Sequence, residues 1–173
     1  EPLLEKRSDI FHVETIGQSV LNNPIYGLKI GNGKKKILMW SQMHGNESTS
    51  TKALFDSISF FHIHEPEMLK KLTLLVIPIL NPDGALNYSR ENFNNIDLNR
   101  DAVNLSQPES ILLKGIYNKF KPDFCFNLHD QRSIYSTNNF NSSILSFLSP
   151  SADIERNETV SRITSMKIIC EMF

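Results

Sequence analysis

His44 and Glu47 stand three residues apart in Met43-His44-Gly45-Asn46-Glu47, and His129 follows Asn127-Leu128 far downstream. Imidazole nitrogen and carboxylate oxygen are donors that a borderline cation such as zinc accepts, and a catalytic zinc takes three protein ligands with a position left for water. Where a loop enters a helix, a spacing of three lets both side chains face one point, and a third ligand can come from another strand end. Each residue alone has a plainer reading. An HxxE quartet arises often by chance and marks a solvated helix start, and Glu47 by itself suits the positive end of a helix dipole. A lone histidine at a strand end is more often a hydrogen-bonded structural residue. The metal reading therefore rests on the combination. The remaining histidines set the baseline: His12 falls on a first strand, and His62 and His64 fall in the last turn of a helix, where a cation is favoured.

Between the two halves of this constellation lies a polar stretch, residues 81–107, rich in Asn, Asp, Arg and Ser. It opens with the turn sequence Asn81-Pro82-Asp83-Gly84, which in isolation has structural status only. Arg90 follows, then Asp97-Leu98-Asn99-Arg100-Asp101. Arginines concentrated near a metal point to recognition of an anion or of a developing oxyanion. The competing reading is exposed Arg–Asp pairing, which contributes little. The stretch reads as one long loop, and loops of that length are more often functional than idle.

These residues need elements to hold them. Residues 11–18 and 24–30 carry β-branched and aromatic residues between turn signals at Asn22-Asn23 and Gly31-Asn32-Gly33, as two strands of a hairpin or meander do. Residues 36–41 form a compact apolar run suited to a buried strand, whose end delivers His44 into a loop. Ala53, Leu54, Ile58 and Phe61 mark one face of a helix that begins near Glu47. Residues 72–80 are the most apolar stretch and the candidate central strand, with pairing stopped by Pro78. Pro108-Glu109-Ser110 opens a helix through Phe120. Phe124, Phe126 and Leu128 alternate in a strand that ends at His129. A further strand is expected over 143–148 and a helix over 154–173. Interleaved strands and helices indicate an α/β class with a mixed, largely parallel sheet flanked by helices. Ligands gather at the carboxyl ends of strands in such sheets, and the three polar clusters all fall there.

Composition sets wider bounds. The 173 residues, 40% hydrophobic, suffice for one well-buried core, so residues 1–173 read as a single domain. A net charge of -1 gives no electrostatic reason to expect a nucleic-acid or anionic-membrane partner. Lys34-Lys35-Lys36 read as the solvated tip of a hairpin. Cys125 and Cys170 match no metal-ligand spacing and read as buried free thiols. No apolar run is long enough to span a bilayer. The chain opens with Glu1, so a cytoplasmic location and a secreted or periplasmic one after loss of a leader both stay open, as does the oligomeric state.

Taken in order, MHGNE at 43–47, NPDG at 81–84, Arg90, DLNRD at 97–101, QPES at 107–110 and NLHD at 127–130 resemble the ordered motifs of the zinc metallocarboxypeptidases, the carboxypeptidase A-like superfamily. The resemblance runs from about Phe11 to Pro150. A two-histidine, one-glutamate zinc set is a known arrangement for carboxypeptidase A. The resemblance implies that His44, Glu47 and His129 bind one Zn2+ ion, and that Arg90 polarises the scissile carbonyl and stabilises the oxyanion. It further implies that Asn99 and Arg100 hold the terminal carboxylate of a peptide or small-molecule substrate. Asp130 either orients an imidazole or occupies the surface. Asp101 stands where many relatives have asparagine, and no change of reaction follows from that.

One expected part is not evident. The family's general base is a glutamate on a later strand, whereas Glu155, Glu158 and Glu171 fall in the expected terminal helix. Tyr135 is a strand residue rather than a substrate-capping tyrosine. The expectation is a domain lacking its C-terminal part, with an exposed apolar sheet edge and a metal site open on one side. The leading function is release of a C-terminal residue from peptides by a zinc hydrolase. Alternatives are a zinc amidohydrolase of the aspartoacylase or succinylglutamate desuccinylase type, and a zinc- and carboxylate-binding module without catalysis.

Overall fold

A computed structural model of the chain describes residues 11–130, all within the unit Glu1–Asp130. The turn signals at Asn22-Asn23 separate β1 (His12–Gln18) from β2 (Pro24–Ile30), which pair antiparallel with a bulge between Thr15 and Gly17. β3 (Lys35–Trp40), β4 (Leu72–Ile77) and β5 (Phe124–Asn127) complete a five-stranded sheet in the order β1-β2-β4-β3-β5. β2 runs antiparallel to β4, while β4, β3 and β5 are mutually parallel. The sheet is thus mixed, and its parallel half carries the polar clusters.

Strand periodicity sorts the core into two faces. Leu74 and Val76 of β4 and Leu28 and Ile30 of β2 pack with Leu54 and Ile58 of α1 (Thr49–His64). Ile77 and Leu38 face the other way, against Met43, Leu80 and Leu98 and the Leu112, Leu113, Ile116 and Phe120 side of α5 (Pro108–Phe120). One helix on each face explains why β4 is apolar nearly throughout, since both its sides are covered. Each fully buried aliphatic side chain contributes about 1.5–3 kcal/mol relative to exposure.

Two expectations about loops need correction. The Gly31-Asn32-Gly33 link is not a hairpin tip, because β4 lies between β2 and β3. The start of β4 captures it: Asn32 N and Gly33 N donate to the carbonyls of Leu69 and Leu72, and Thr73 Oγ1 donates to Gly33 O. Gly31 has φ +75°, and a Cβ there would lie 2.3 Å from Leu72 O, so the link needs glycine. Lys35 and Lys36 accordingly act beside β5, with Lys35 Nζ 3.3 Å from Asp123 and Lys36 N donating to the same carboxylate.

Residues 81–107 are not loop throughout either, because they contain α3 (Pro82–Asn87) and α4 (Leu98–Asp101). These helices, like α2 (Pro66–Leu69), are too short to show apolar periodicity. Capping starts them: Asn81 accepts from Gly84 N, and Asp97 accepts from Asn99 N. Cys125 is exposed rather than buried, since β5 ends the sheet order, and Phe124 beside it is exposed too. Among the described residues, β5 therefore stands at one end of the sheet order with Phe124 and Cys125 exposed. Cys170, Tyr135, Glu155, Glu158, Glu171 and the elements expected over 143–148 and 154–173 lie outside the described residues.

Candidate metal centre

Parallel pairing brings three strand ends to one place. Trp40, the last residue of β3, is in register with Ile77 of β4 and Asn127 of β5. Pairing continues into the segments beyond, with Ser41 N donating to Ile77 O, Leu128 N to Trp40 O and Asn81 N to Gln42 O. Gln42 then turns the chain at φ 43°, a left-handed conformation that costs a non-glycine residue and persists where surroundings hold it. Its side chain is held at both ends, Oε1 accepting from Thr51 Oγ1 and Nε2 donating to Gly45 O, each at 2.8 Å. Gly45 presses against the NPDG turn so closely that a Cβ would sit 2.0 Å from Gly84 C. The turn thus acts as the wall against which the His44 segment is set.

Asn81 and Asp83 explain why this turn is polar yet buried. Asn81 caps Gly84 N and reaches Met43 O. Asp83, 1% exposed, accepts from Ser19 Oγ, Leu21 N and Asn23 Nδ2, tying the turn to the β1–β2 hairpin. A second buried network fixes the segment carrying Arg90 and Asp97. Asn92 Nδ2 donates to Gln107 and Glu109, its Oδ1 accepts from Asn94 N and Ile96 N, and Glu109 also accepts from Val20 N. The QPES residues therefore brace the arginine-bearing loop.

His44, Glu47 and His129 converge as expected, with their ligand atoms within 4.8 Å of one another. Glu47 Oε1 lies 2.9 Å from His44 Nδ1, and Oε2 lies 2.8 Å from His129 Nδ1. His44 and Glu47 are buried, whereas His129 is exposed. Burial pushes the Glu47 carboxyl up, but hydrogen bonds from His129 and His44 outweigh it and hold the group far below the usual carboxylate range.

Asp97 is the residue that sequence reasoning missed at this site. Its Oδ1 lies 3.1 Å from His44 Nε2, while Oδ2 accepts from Nε and Nη2 of Arg90. Burial raises its pKa, but the bonds from His44, Arg90 and Asn99 N prevail and lower it. Both nitrogens of His44 consequently face carboxylate oxygens. A neutral imidazole has one N–H, so the second contact calls for a proton or a cation between nitrogen and oxygen. With Asp97 at the outer nitrogen, Nδ1 of His44 stands with Glu47 and His129 as a candidate donor set for one cation. This donor set fits zinc, including the outer-nitrogen carboxylate that fixes ring orientation.

Arg90 is brought to the cluster, with Nη1 3.5 Å from Glu47 Oε1. Asn99 and Arg100 are not. They sit on α4, where Asn99 N donates to Asp97, and Arg100 is exposed with no ion pair or side-chain hydrogen bond among the described residues. Asp130 touches neither imidazole ring. Its carboxylate instead accepts from Thr49 N and Ser50 N, at 3.0 and 2.8 Å. Asp101 is structural, accepting from Ser106 N, Ser106 Oγ and Gln107 N ahead of α5.

A sequence model of the family described as zinc carboxypeptidase matches residues 1–146. Carboxypeptidase 2 of Trichophyton tonsurans is 30% identical over 100 residues, covering 55% of this chain and 19% of the relative. Carboxypeptidase M of Mus musculus is 28% identical over 116 residues, covering 54% of this chain and 26% of the relative. Among solved structures, a metallo-carboxypeptidase from Burkholderia cenocepacia superposes with TM-score 0.68 at 18% identity, over 74% of this chain and 39% of that one. A metallo-carboxypeptidase from Pseudomonas aeruginosa, in complex with (2-guanidinoethylmercapto)succinic acid, gives TM-score 0.66 at 25% identity, over 74% and 38%. The chain spans about a fifth to a quarter of these curated relatives and under two fifths of these solved structures.

Proposed function

The chain belongs to the zinc carboxypeptidase family, and from that premise we propose that it is the metal- and carboxylate-binding part of a hydrolase that removes a C-terminal residue from peptides. The observation that carries the reading is the convergence of His44, Glu47 and His129 at the aligned ends of β3 and β5. Zinc held there supplies a Lewis acid that acidifies water and polarises a carbonyl.

The protein's own groups divide the remaining work. Asp97 fixes the ring of His44 through its outer nitrogen and anchors Arg90 with its second oxygen. Arg90 thereby holds its guanidinium beside the cluster, where N–H groups stabilise charge developing on the substrate's carbonyl oxygen. Arg100, exposed and unpaired among the described residues, offers a two-pronged donor for the terminal carboxylate, and Asn99 adds an amide beside it.

Elemental analysis for zinc, paired with release of the terminal residue from a hippuryl-type dipeptide, tests the proposal. One zinc per chain, lost in His129→Ala, supports it. Absence of bound zinc in the parent chain, or zinc retained in full by His129→Ala, would sink it. Turnover of N-acyl amino acids in place of dipeptides would move the activity to the amidohydrolase class, and zinc without turnover would leave a binding module.

A further inference from the structure

The ligands of the candidate metal centre arrive on separate stretches of chain: Glu47 just ahead of α1, and His129 just past β5. Strand pairing ends one residue short of His129, with Leu128 N donating to Trp40 O. The next residue, Asp130, reaches across to the start of α1, where Thr49 N and Ser50 N donate to its two carboxylate oxygens. The helix's own N-cap, Ser48, makes no side-chain capping bond. Free N–H groups at a helix start need an acceptor. Here that acceptor comes from a residue about eighty positions away in sequence. The Asp130 backbone N also lies 3.4 Å from Glu47 Oε2, the oxygen that meets His129 Nδ1.

We propose that Asp130 is a positioning residue for the metal centre, clamping the strand end that carries His129 to the helix start beside Glu47 so that the ligand spacing is set before the metal arrives. The proposal rests on the zinc reading above. It differs from an imidazole-orienting role because Asp130 acts on the backbone of α1 rather than on either ring. A site prepared in advance binds without first ordering the ligand segments, so loss of the clamp reduces affinity. Groups one step removed from a metal typically change its affinity about ten- to a hundredfold when removed.

The test measures zinc affinity by competition with a chelator for the full chain, Asp130→Ala, Asp130→Asn and Ala53→Gly, alongside the visible absorption of the cobalt-substituted proteins. Ala53 is an exposed position of α1 one turn beyond Thr49, so its glycine variant weakens the helix without removing the Asp130 carboxylate from Thr49 N and Ser50 N. Asp130→Ala is expected to bind zinc about ten- to a hundredfold more weakly and to shift the cobalt spectrum. Asp130→Asn keeps one acceptor and falls between; it carries the test if the alanine variant does not fold. Ala53→Gly keeps parental affinity and spectrum. Parental zinc affinity and cobalt spectrum in the Asp130 variants, or an equal loss in Ala53→Gly, overturns the clamp while leaving the metal reading intact. A parent chain that takes up no zinc overturns both.

Discussion

Asp97 Oδ1 lies 3.1 Å from Nε2 of His44, on the opposite side of the imidazole from Glu47, whose Oε1 is 2.9 Å from Nδ1. The ring is thus fixed between two carboxylate oxygens, with Nε2 turned to Asp97 and Nδ1 turned to Glu47. The same aspartate anchors Arg90, so the orientation of a candidate metal ligand and of the proposed oxyanion donor depends on one side chain.

Asp97→Ala is therefore expected to weaken zinc binding about ten- to a hundredfold. Chelator competition on the folded protein reads the change. Asp97→Asn retains an oxygen for His44 and is expected to lose less. Equal affinity in all three proteins would show that the outer-nitrogen contact does not tune the site.

Glycine positions give a contrast in stability. A Cβ on Gly45 would lie 2.0 Å from Gly84 C and 2.2 Å from Ala85 N, both backbone atoms that the Asn81 and Asp83 bonds hold in place. Gly45→Ala is expected to destabilise the fold by at least about 2 kcal/mol. Gly115 is an exposed position within α5 where a Cβ meets nothing within 4 Å. There alanine is expected to stabilise by about 0.5–1 kcal/mol. Urea unfolding midpoints of the two variants should move in opposite directions.

The convergence of His44, Glu47 and His129 was legible in the sequence because strand ends and motif order locate residues that must come together. Arg90 was legible for the same reason. Asp97 was visible only as part of the 97–101 motif, since a carboxylate meeting the outer nitrogen of a histidine has no spacing of its own. The position of β4 between β2 and β3 was hidden as well, because the glycine-rich link that precedes Lys34 looks the same in a hairpin and in a connection that straddles another strand. Asp130 shows a third limit: whether an acid beside a ligand meets a ring or a helix start depends on three-dimensional placement.

Two buried acids are expected to impose opposite pH dependences on stability. Burial pushes the Asp101 carboxyl up, but hydrogen bonds from Ser106 and Gln107 prevail and hold it below its ordinary 3.8. Its stabilisation is complete above that value and is lost as pH falls through the lower folded value. Burial pushes Glu109 above its ordinary 4.5, aided by the negative charge of Asp83. Its contribution is complete below 4.5 and is lost as pH rises through the higher folded value. Urea midpoints measured against pH should show a shallower acid-side fall in Asp101→Asn and a shallower fall above pH 4.5 in Glu109→Gln. Parental profiles in both would contradict these assignments.

Arg100 offers a way to separate carboxylate recognition from metal binding. It is exposed and makes no contact with the His44, Glu47 and His129 cluster among the described residues. Arg100→Ala should therefore leave zinc affinity unchanged while weakening a small carboxylate ligand, for which N-benzoylglycine serves as the probe in calorimetry on the zinc-loaded chain. A hydrogen bond between charged partners contributes about 1.5–3 kcal/mol, which corresponds to a loss of about ten- to a hundredfold. Arg100→Lys should recover only part of it, because an ammonium lacks the planar fork that meets both carboxylate oxygens. Full recovery by lysine would reduce Arg100 to a point charge. Unchanged probe binding in Arg100→Ala would remove it from the carboxylate site altogether.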